Sequence, residues 1–230
     1  MMKLPELRGL IYPDEFVIKF FFKNRLHTRT GRVLELGCGN GNNLLLFHEY
    51  GWSVIGLDIN KESLADAQHN FELPTLGSQR HQFIEHDLAR GLCDTISANV
   101  DVILLPSILY YIPRHAAVTV LRDLRSYCID GALVFLRNRT LRDYRYRRGV
   151  EVERNGYLLT DAATGEAGLL NVFYDEWELL DMLRQYLNLD TTTAECLSLA
   201  YQNPQNGVRV NNADLVIWGQ LKPQRDKSIS

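Results

Sequence analysis

Short apolar runs alternate with amphipathic segments along most of the chain. Val33–Leu36, Trp52–Asp58, His81–Leu88, Val100–Leu105 and Ala132–Leu136 read as strands. Near-continuous apolar runs of that length are what strands covered on both faces require. Between them, Asn43–Tyr50, Asn60–Phe71 and His115–Tyr127 carry helical spacing. In the last of these, Val118, Leu121 and Leu124 share one face while Arg122, Asp123 and Arg125 lie elsewhere, and Asp130-Gly131 supplies a stop. Asn60 is a candidate N-cap, and Asp175 followed by Glu178 spells a capping box ahead of a further helix.

The two ends of the chain read differently. Residues 1–11 are expected to form a loosely ordered arm, and Pro13-Asp14-Glu15 opens an apolar helix over Phe16–Leu26. Leu73–Gln79 reads as a loop, and residues 149–170 as a polar, glycine-containing loop or short hairpin. Thr191–Tyr201 and Asn211–Leu221 are β-rich, and Asn203-Pro-Gln-Asn-Gly207 between them is a turn signal, which predicts an antiparallel hairpin. Residues 222–230 are expected to be a disordered tail. With no repeat and no linker, the pattern is that of one α/β domain over residues 1–230.

The first strand runs into its helix through Val33-Leu-Glu-Leu-Gly-Cys-Gly-Asn-Gly41. A strand that turns on glycines into a helix is expected to present backbone N–H groups and the positive end of a helix dipole to a ligand. The dinucleotide fingerprint is G-x-G-x-x-G, whereas here the spacing is G-x-G-x-G with Glu35 two residues ahead of it. A carboxylate at that point repels pyrophosphate and suits an amine or a positive centre. An acid at the end of the second strand, Asp58, suits a pair of ribose hydroxyls and serves NAD and other adenosine ligands alike.

These residues resemble motif I and its companions in the class I S-adenosylmethionine (SAM)-dependent methyltransferases. The resemblance covers roughly residues 31–221. It implies a Rossmann-like α/β fold: a seven-stranded mixed sheet of order 3-2-1-4-5-7-6, strand 7 antiparallel, with helices on both faces. It implies SAM as cofactor, held by Glu35, Gly37, Cys38, Gly39, Asn40, Gly41, Asp58, Ile59, Asp87, Leu88 and Leu105. In the family, the acid matching Asp87 receives the adenine amine, and the N–H after it reaches the ring. The residues of this family's lid and acceptor side map to a lid helix within residues 1–30 and an insert over 137–175. Tyr12, Tyr110, Tyr144, Tyr146 and Tyr174 are the candidate acceptor contacts. Tyr110, Tyr111, His115 and Tyr174 are the candidate general bases, none of them marked out by a convincing partner.

Composition narrows the acceptor. The net charge is −3 and hydrophobic residues make up 46% of the 230 residues, which offers no overall attraction for nucleic acid. Pro106-Ser107 departs from the Asn/Asp-Pro-Pro-aromatic signature of enzymes that methylate bases or glutamine, and supplies no acidic cluster for magnesium. Cys38, Cys93, Cys128 and Cys196 have no metal-ligand spacing and read as thiols of a reducing, cytoplasmic setting. No apolar run is long enough to span a membrane. The exception to the unremarkable charge pattern is Arg137–Arg148, with six arginines in twelve positions. It reads as a solvated, loop-borne charge run, with anion or phosphate binding as the other uses. The expectation is therefore a methyltransferase acting on a small molecule with no metal. The alternatives are a SAM-binding protein without catalysis, an RNA methyltransferase using the arginine run, and an NAD-dependent oxidoreductase.

Overall fold

The computed structural model describes residues 6–73 and 80–223. Its main sheet is built from β1 (Arg32–Leu36), β2 (Ser53–Asp58), β3 (His81–Glu85), β4 (Val100–Pro106), β5 (Cys128–Arg139), β9 (Glu195–Gln205) and β10 (Val208–Gln220). The order is β3-β2-β1-β4-β5-β10-β9, with the first five strands parallel and β10 antiparallel to both its neighbours. This is the expected 3-2-1-4-5-7-6 arrangement.

Alternate side chains of each central strand enter two separate cores. Val33, Val54, Val102, Leu104, Phe135 and Trp218 pack with Phe20, Phe21, Leu44, Phe47 and Leu64 of the helices α1 (Glu15–Lys23), α2 (Asn42–Glu49) and α3 (Lys61–Phe71). Leu34, Leu36, Ile55, Leu57, Ile103, Leu105 and Leu136 pack with Val120, Leu121, Leu124, Leu179 and Leu183 of α4 (Arg114–Tyr127) and α5 (Glu176–Tyr186) on the other face. Burial of both faces is why the strands read as continuous apolar runs. The α5 capping box is formed as expected.

Several local expectations are corrected or extended. The arm is ordered from residue 6 onward, because asparagine side chains grip its main chain; residues 1–5 lie outside those described. The N-terminal helix stops at Lys23, and Leu26–Thr28 is a separate turn entered through Arg25 at positive φ. The fifth strand continues to Arg139, three residues into the arginine run, because β10 pairs with it as far as Asp214. Residues 149–172 form a second sheet, with β6 (Gly149–Glu153), β7 (Gly156–Leu159) and β8 (Leu170–Val172) in that order. In the hairpin, β9 runs through Pro204 and only Asn206-Gly207 turn, since β9 is an edge strand and an edge tolerates proline. Of the expected tail, Lys222 is anchored to Asn188 and Asp190, and 224–230 lie outside the described residues, as do 74–79 of the expected loop.

Candidate cofactor and acceptor site

The carboxyl ends of β1, β2 and β4 meet around the glycine turn. Gly37 and Gly39 both have positive φ, +71° and +52°. A Cβ on Gly37 would run into Ile108, whereas at Gly39 there is open space. Four backbone N–H groups of this turn are taken within the chain, which narrows the expectation that they await a ligand. Those of Gly37 and Cys38 donate to the Leu57 carbonyl, that of Gly41 to Cys38, and that of Gly39 to Asp58 Oδ2 at 2.8 Å. The turn is thereby pinned to the end of β2. Cys38 sends its side chain into the core against Gly56, so only its main chain is at the site.

Asp58 is fixed by two backbone donors, Gly39 and Asn60, both at 2.8 Å. It borders a cavity of about 140 Å³ together with Gly37, Ile59, His86, Asp87, Leu88, Ala89, Ile108, Tyr111 and Ile112. Gly37, Asp58, Ile59, Asp87 and Leu88 are thus brought together as expected. Asp87 lies past the end of β3 rather than on it, capping the short turn Leu88–Arg90 through Ala89 N–H. Ile108 and Ile112 were not among the expected site residues; they follow Ser107, a non-glycine residue at φ +60°, which swings the chain back over the turn after β4. His86, also on the cavity border, has its ring bonded to the Gly91 carbonyl. Leu105 is fully buried in the core and can offer only main-chain atoms.

Glu35 is 1% exposed and lies behind the turn. Its Oε1 accepts from Asn43 Nδ2 at 2.7 Å, and its Oε2 is buried without a hydrogen-bond partner. Burial, reinforced by Asp58 and Asp14 and partly offset by Asn43, pushes this carboxyl up to about 8.

Asn40 corrects another expectation. Its side chain turns away from the cavity and bonds the arm, with Nδ2 on the Arg8 and Leu10 carbonyls and Oδ1 on Leu10 N–H. Asn42, Asn43 and Asn70 add bonds to Tyr12, Asp14 and Arg8. Four asparagines therefore strap residues 8–14 across the glycine turn. Tyr12 contributes its carbonyl to this strap, and its ring stands 70% exposed instead of forming a lid.

The acceptor-side tyrosines separate. Tyr111 is on the cavity wall, and its hydroxyl donates to Glu166 at 2.6 Å. Tyr110 is buried beside it under the Arg139 guanidinium, 4.1 Å from the ring centre. Burial raises both hydroxyls above the ordinary tyrosine value. Four other candidates are corrected. Tyr174 is fully buried under Arg114, with its hydroxyl unpartnered in the core. Tyr144 bonds Asp161, and Tyr146 bonds Asn155 within the apolar cluster of the small sheet. His115 is exposed in the first turn of α4 and borders no part of the cavity.

Only half of the arginine run is solvated: Arg142, Arg147 and Arg148 are exposed, whereas Arg137, Arg139 and Arg145 are drawn into the structure. Arg137 pairs with Asp14 at 2.5 Å and Asp214 at 2.7 Å. Arg139 pairs with Glu166 at 2.8 Å, Arg145 with Glu166 and Asp143, Arg142 with Glu176, and Arg148 with Asp161. Burial works against the Glu166 charge, but Arg139, Tyr111 and Arg145 outweigh it and hold the carboxyl below its usual value. Beside Arg137 a second cavity, of about 580 Å³, is lined by Glu15, Phe16, Leu199, Ala200 and Tyr201. Among the described residues no cluster of His, Cys, Asp and Glu could hold a metal, and no helix is long and apolar enough to cross a membrane.

Residues 33–131 match the model of a family described as a methyltransferase domain. The search of curated proteins returned no match. The structure is similar to that of a SAM-dependent methyltransferase from Methanosarcina mazei, at 20% identity over 85% of this chain and 94% of that one, with a TM-score of 0.65. A putative methyltransferase from Bacillus halodurans gives a TM-score of 0.63 at 10% identity, over 92% of this chain and 100% of that one. Magnesium protoporphyrin IX methyltransferase from Synechocystis, crystallised with SAM, gives 0.52 at 15% identity, over 88% and 76%.

Proposed function

We propose that the chain is a class I, SAM-dependent methyltransferase and that it methylates an oxygen or nitrogen of a small-molecule acceptor by in-line displacement, releasing S-adenosylhomocysteine; the methyltransferase-domain match over residues 33–131 and the likeness in fold to solved methyltransferases support this reading. The cofactor supplies a methyl group activated by its sulfonium. The residues present fit it: Glu35 Oε2 is a buried acceptor with no donor, Gly39 leaves space beside the turn, and Asp58 and Asp87 frame a cavity among apolar side chains. In this reading Asp58 accepts from the ribose, Asp87 and the Leu88 N–H read the adenine edge, and Ile59, Ile108 and Ile112 cover its faces. The chain's work is then to align the two reactants and keep water out.

The observation that carries the small-molecule reading is the state of the arginines. Arg137, Arg139, Arg142, Arg145 and Arg148 are each paired with a carboxylate of the chain itself, which leaves no row of free cations for a phosphate backbone. The cavity beside Arg137, walled by Phe16, Leu199 and Tyr201, is our candidate acceptor seat, and its guanidinium is already neutralised by Asp14 and Asp214. An acceptor that attacks through a free lone pair needs no base. One that must lose a proton has Tyr111, the one of the four candidate bases on the cavity wall.

The test is metabolite profiling with methyl-labelled SAM. A labelled small molecule that disappears with Asp58→Ala is the expected result. SAM binding with no labelled product favours a SAM-binding protein without transfer, and label appearing in RNA instead overturns the small-molecule acceptor.

A further inference from the structure

Glu35 is the one carboxylate at this site with a bare, buried oxygen. The groups around it come from every element packed against it. Asn43 of α2 donates to Oε1, Asp58 approaches from β2, Asp14 from the start of α1, and Cys38 from the turn. Two of these are carboxylates, one is a neutral amide, and one is a thiol that burial holds well above its usual value. Arg137, the cation beyond Asp14, is claimed by Asp14 and Asp214. An ionised carboxylate in such a place has one hydrogen bond and repulsion on two sides. A proton or an incoming cation relieves it.

Resting on the SAM-binding reading above, we infer that Glu35 is protonated in the empty protein and releases that proton when the α-ammonium group of SAM or S-adenosylhomocysteine docks against Oε2. The exchange balances: a neutral carboxyl and an ammonium become a carboxylate–ammonium pair, and one proton goes to solvent. Burial beside Asp58 and Asp14, which pushes the carboxyl up to about 8, keeps it mostly protonated at neutral pH. Binding is then coupled to pH, and the site distinguishes ligands that bear an amino-acid tail from bare adenosines.

The experiment is calorimetric titration of the full chain with S-adenosylhomocysteine at pH 7, in buffers of different ionisation enthalpy, alongside 5′-methylthioadenosine, which lacks the amine. About one proton released per S-adenosylhomocysteine and none per methylthioadenosine is the expected result, with affinity for the former rising about ninefold from pH 6 to 7 and about fivefold from pH 7 to 8. Glu35→Gln should bind without proton release and without that pH dependence. If that variant does not fold, the comparison of the two ligands on the native chain decides alone. Binding without proton release, or equal release with both ligands, overturns this inference only. No binding of S-adenosylhomocysteine at any pH overturns the SAM reading and this inference with it.

Discussion

Along the carboxyl edge of the main sheet, the half around β1 and β2 leaves Glu35 and Asp58 without a cation, whereas the half around β5 and β10 pairs nearly every charge it holds. Glu35 has one amide donor, and Asp58 has two backbone N–H groups. Across the sheet Glu166 alone receives Arg139, Arg145 and the Tyr111 hydroxyl. The same residue types thus serve opposite ends. In the proposed reading, unsatisfied acceptors are kept where a ligand with donors and a positive charge completes them. Satisfied pairs form the wall that carries the insert and gives it shape without presenting charge.

The sharpest way to break that contrast is at Arg145. Its guanidinium is buried between Glu166 and Asp143. Arg145→Ala leaves Asp143 buried with no cation and should destabilise the protein by about 3–5 kcal/mol in denaturant unfolding, the usual cost of removing one partner of a buried pair. Arg147 is exposed and rests on the Tyr146 ring, so Arg147→Ala should change stability by less than about 0.5 kcal/mol. Equal effects from the two would mean that the run is a solvated surface after all.

The other half should show its strain as a pH dependence. The Glu35 carboxyl is raised in the folded chain, from 4.5 to about 8. A raised carboxyl favours the folded state while it is protonated. Its contribution is therefore fully present below about pH 4.5 and is lost as pH climbs towards 8. The loss between pH 4.5 and 7 is roughly 3 kcal/mol by the free energy of a pKa difference. Thermal unfolding without ligand, with Glu35→Gln subtracted, should isolate this slope. The lowered carboxyls, among them Glu166, tilt stability the other way, so the difference curve is the readout. A flat difference curve would place a cation or water against Oε2 in the free protein.

Asp58→Ala ranks next. It should weaken SAM binding by about 1.5–3 kcal/mol, the range for a hydrogen bond to a charged group. Because Asp58 also holds the Gly39 and Asn60 N–H groups, the variant should lose some stability too, which a ligand contact alone would not cause. Unchanged affinity in equilibrium titration would remove Asp58 from the cofactor site.

The difference between the halves also explains what could be read from the chain. That Gly37, Asp58 and Asp87-Leu88 meet around one cavity was legible because each ends or closely follows a strand, and strand ends fix where such residues go. The asparagine strap was not: Asn40 sits inside the glycine motif, and its partners, Arg8 and Leu10, lie some thirty residues away in a stretch with no periodicity. Nor were the arginine pairs, since Arg137 meets Asp14 and Asp214 only once β5 and β10 are side by side. Six arginines in a row of twelve look like a charge run until folding supplies carboxylates from four other segments. Tyr174 misled for a related reason. It precedes a capping box whose position is plain, but nothing local reveals that its ring turns inward.

The smallest effect tests where the halves touch. Tyr111 lines the cavity beside Asp58 and reaches Glu166 of the insert with its hydroxyl, while Arg139 lies over Tyr110 and 5.7 Å from the Tyr111 ring centre. Tyr111→Phe keeps the ring and removes the bond. Glu166 retains two arginines, so the cost to stability should be about 1 kcal/mol, near that of an ordinary hydrogen bond. SAM affinity should change less than about threefold, because the cavity wall is intact. If the acceptor attacks as a neutral nucleophile, turnover should follow affinity. A large fall in turnover with affinity and stability preserved would instead make the Tyr111–Glu166 pair a route for the acceptor's proton, and the two halves would meet in the chemistry as well as in the packing.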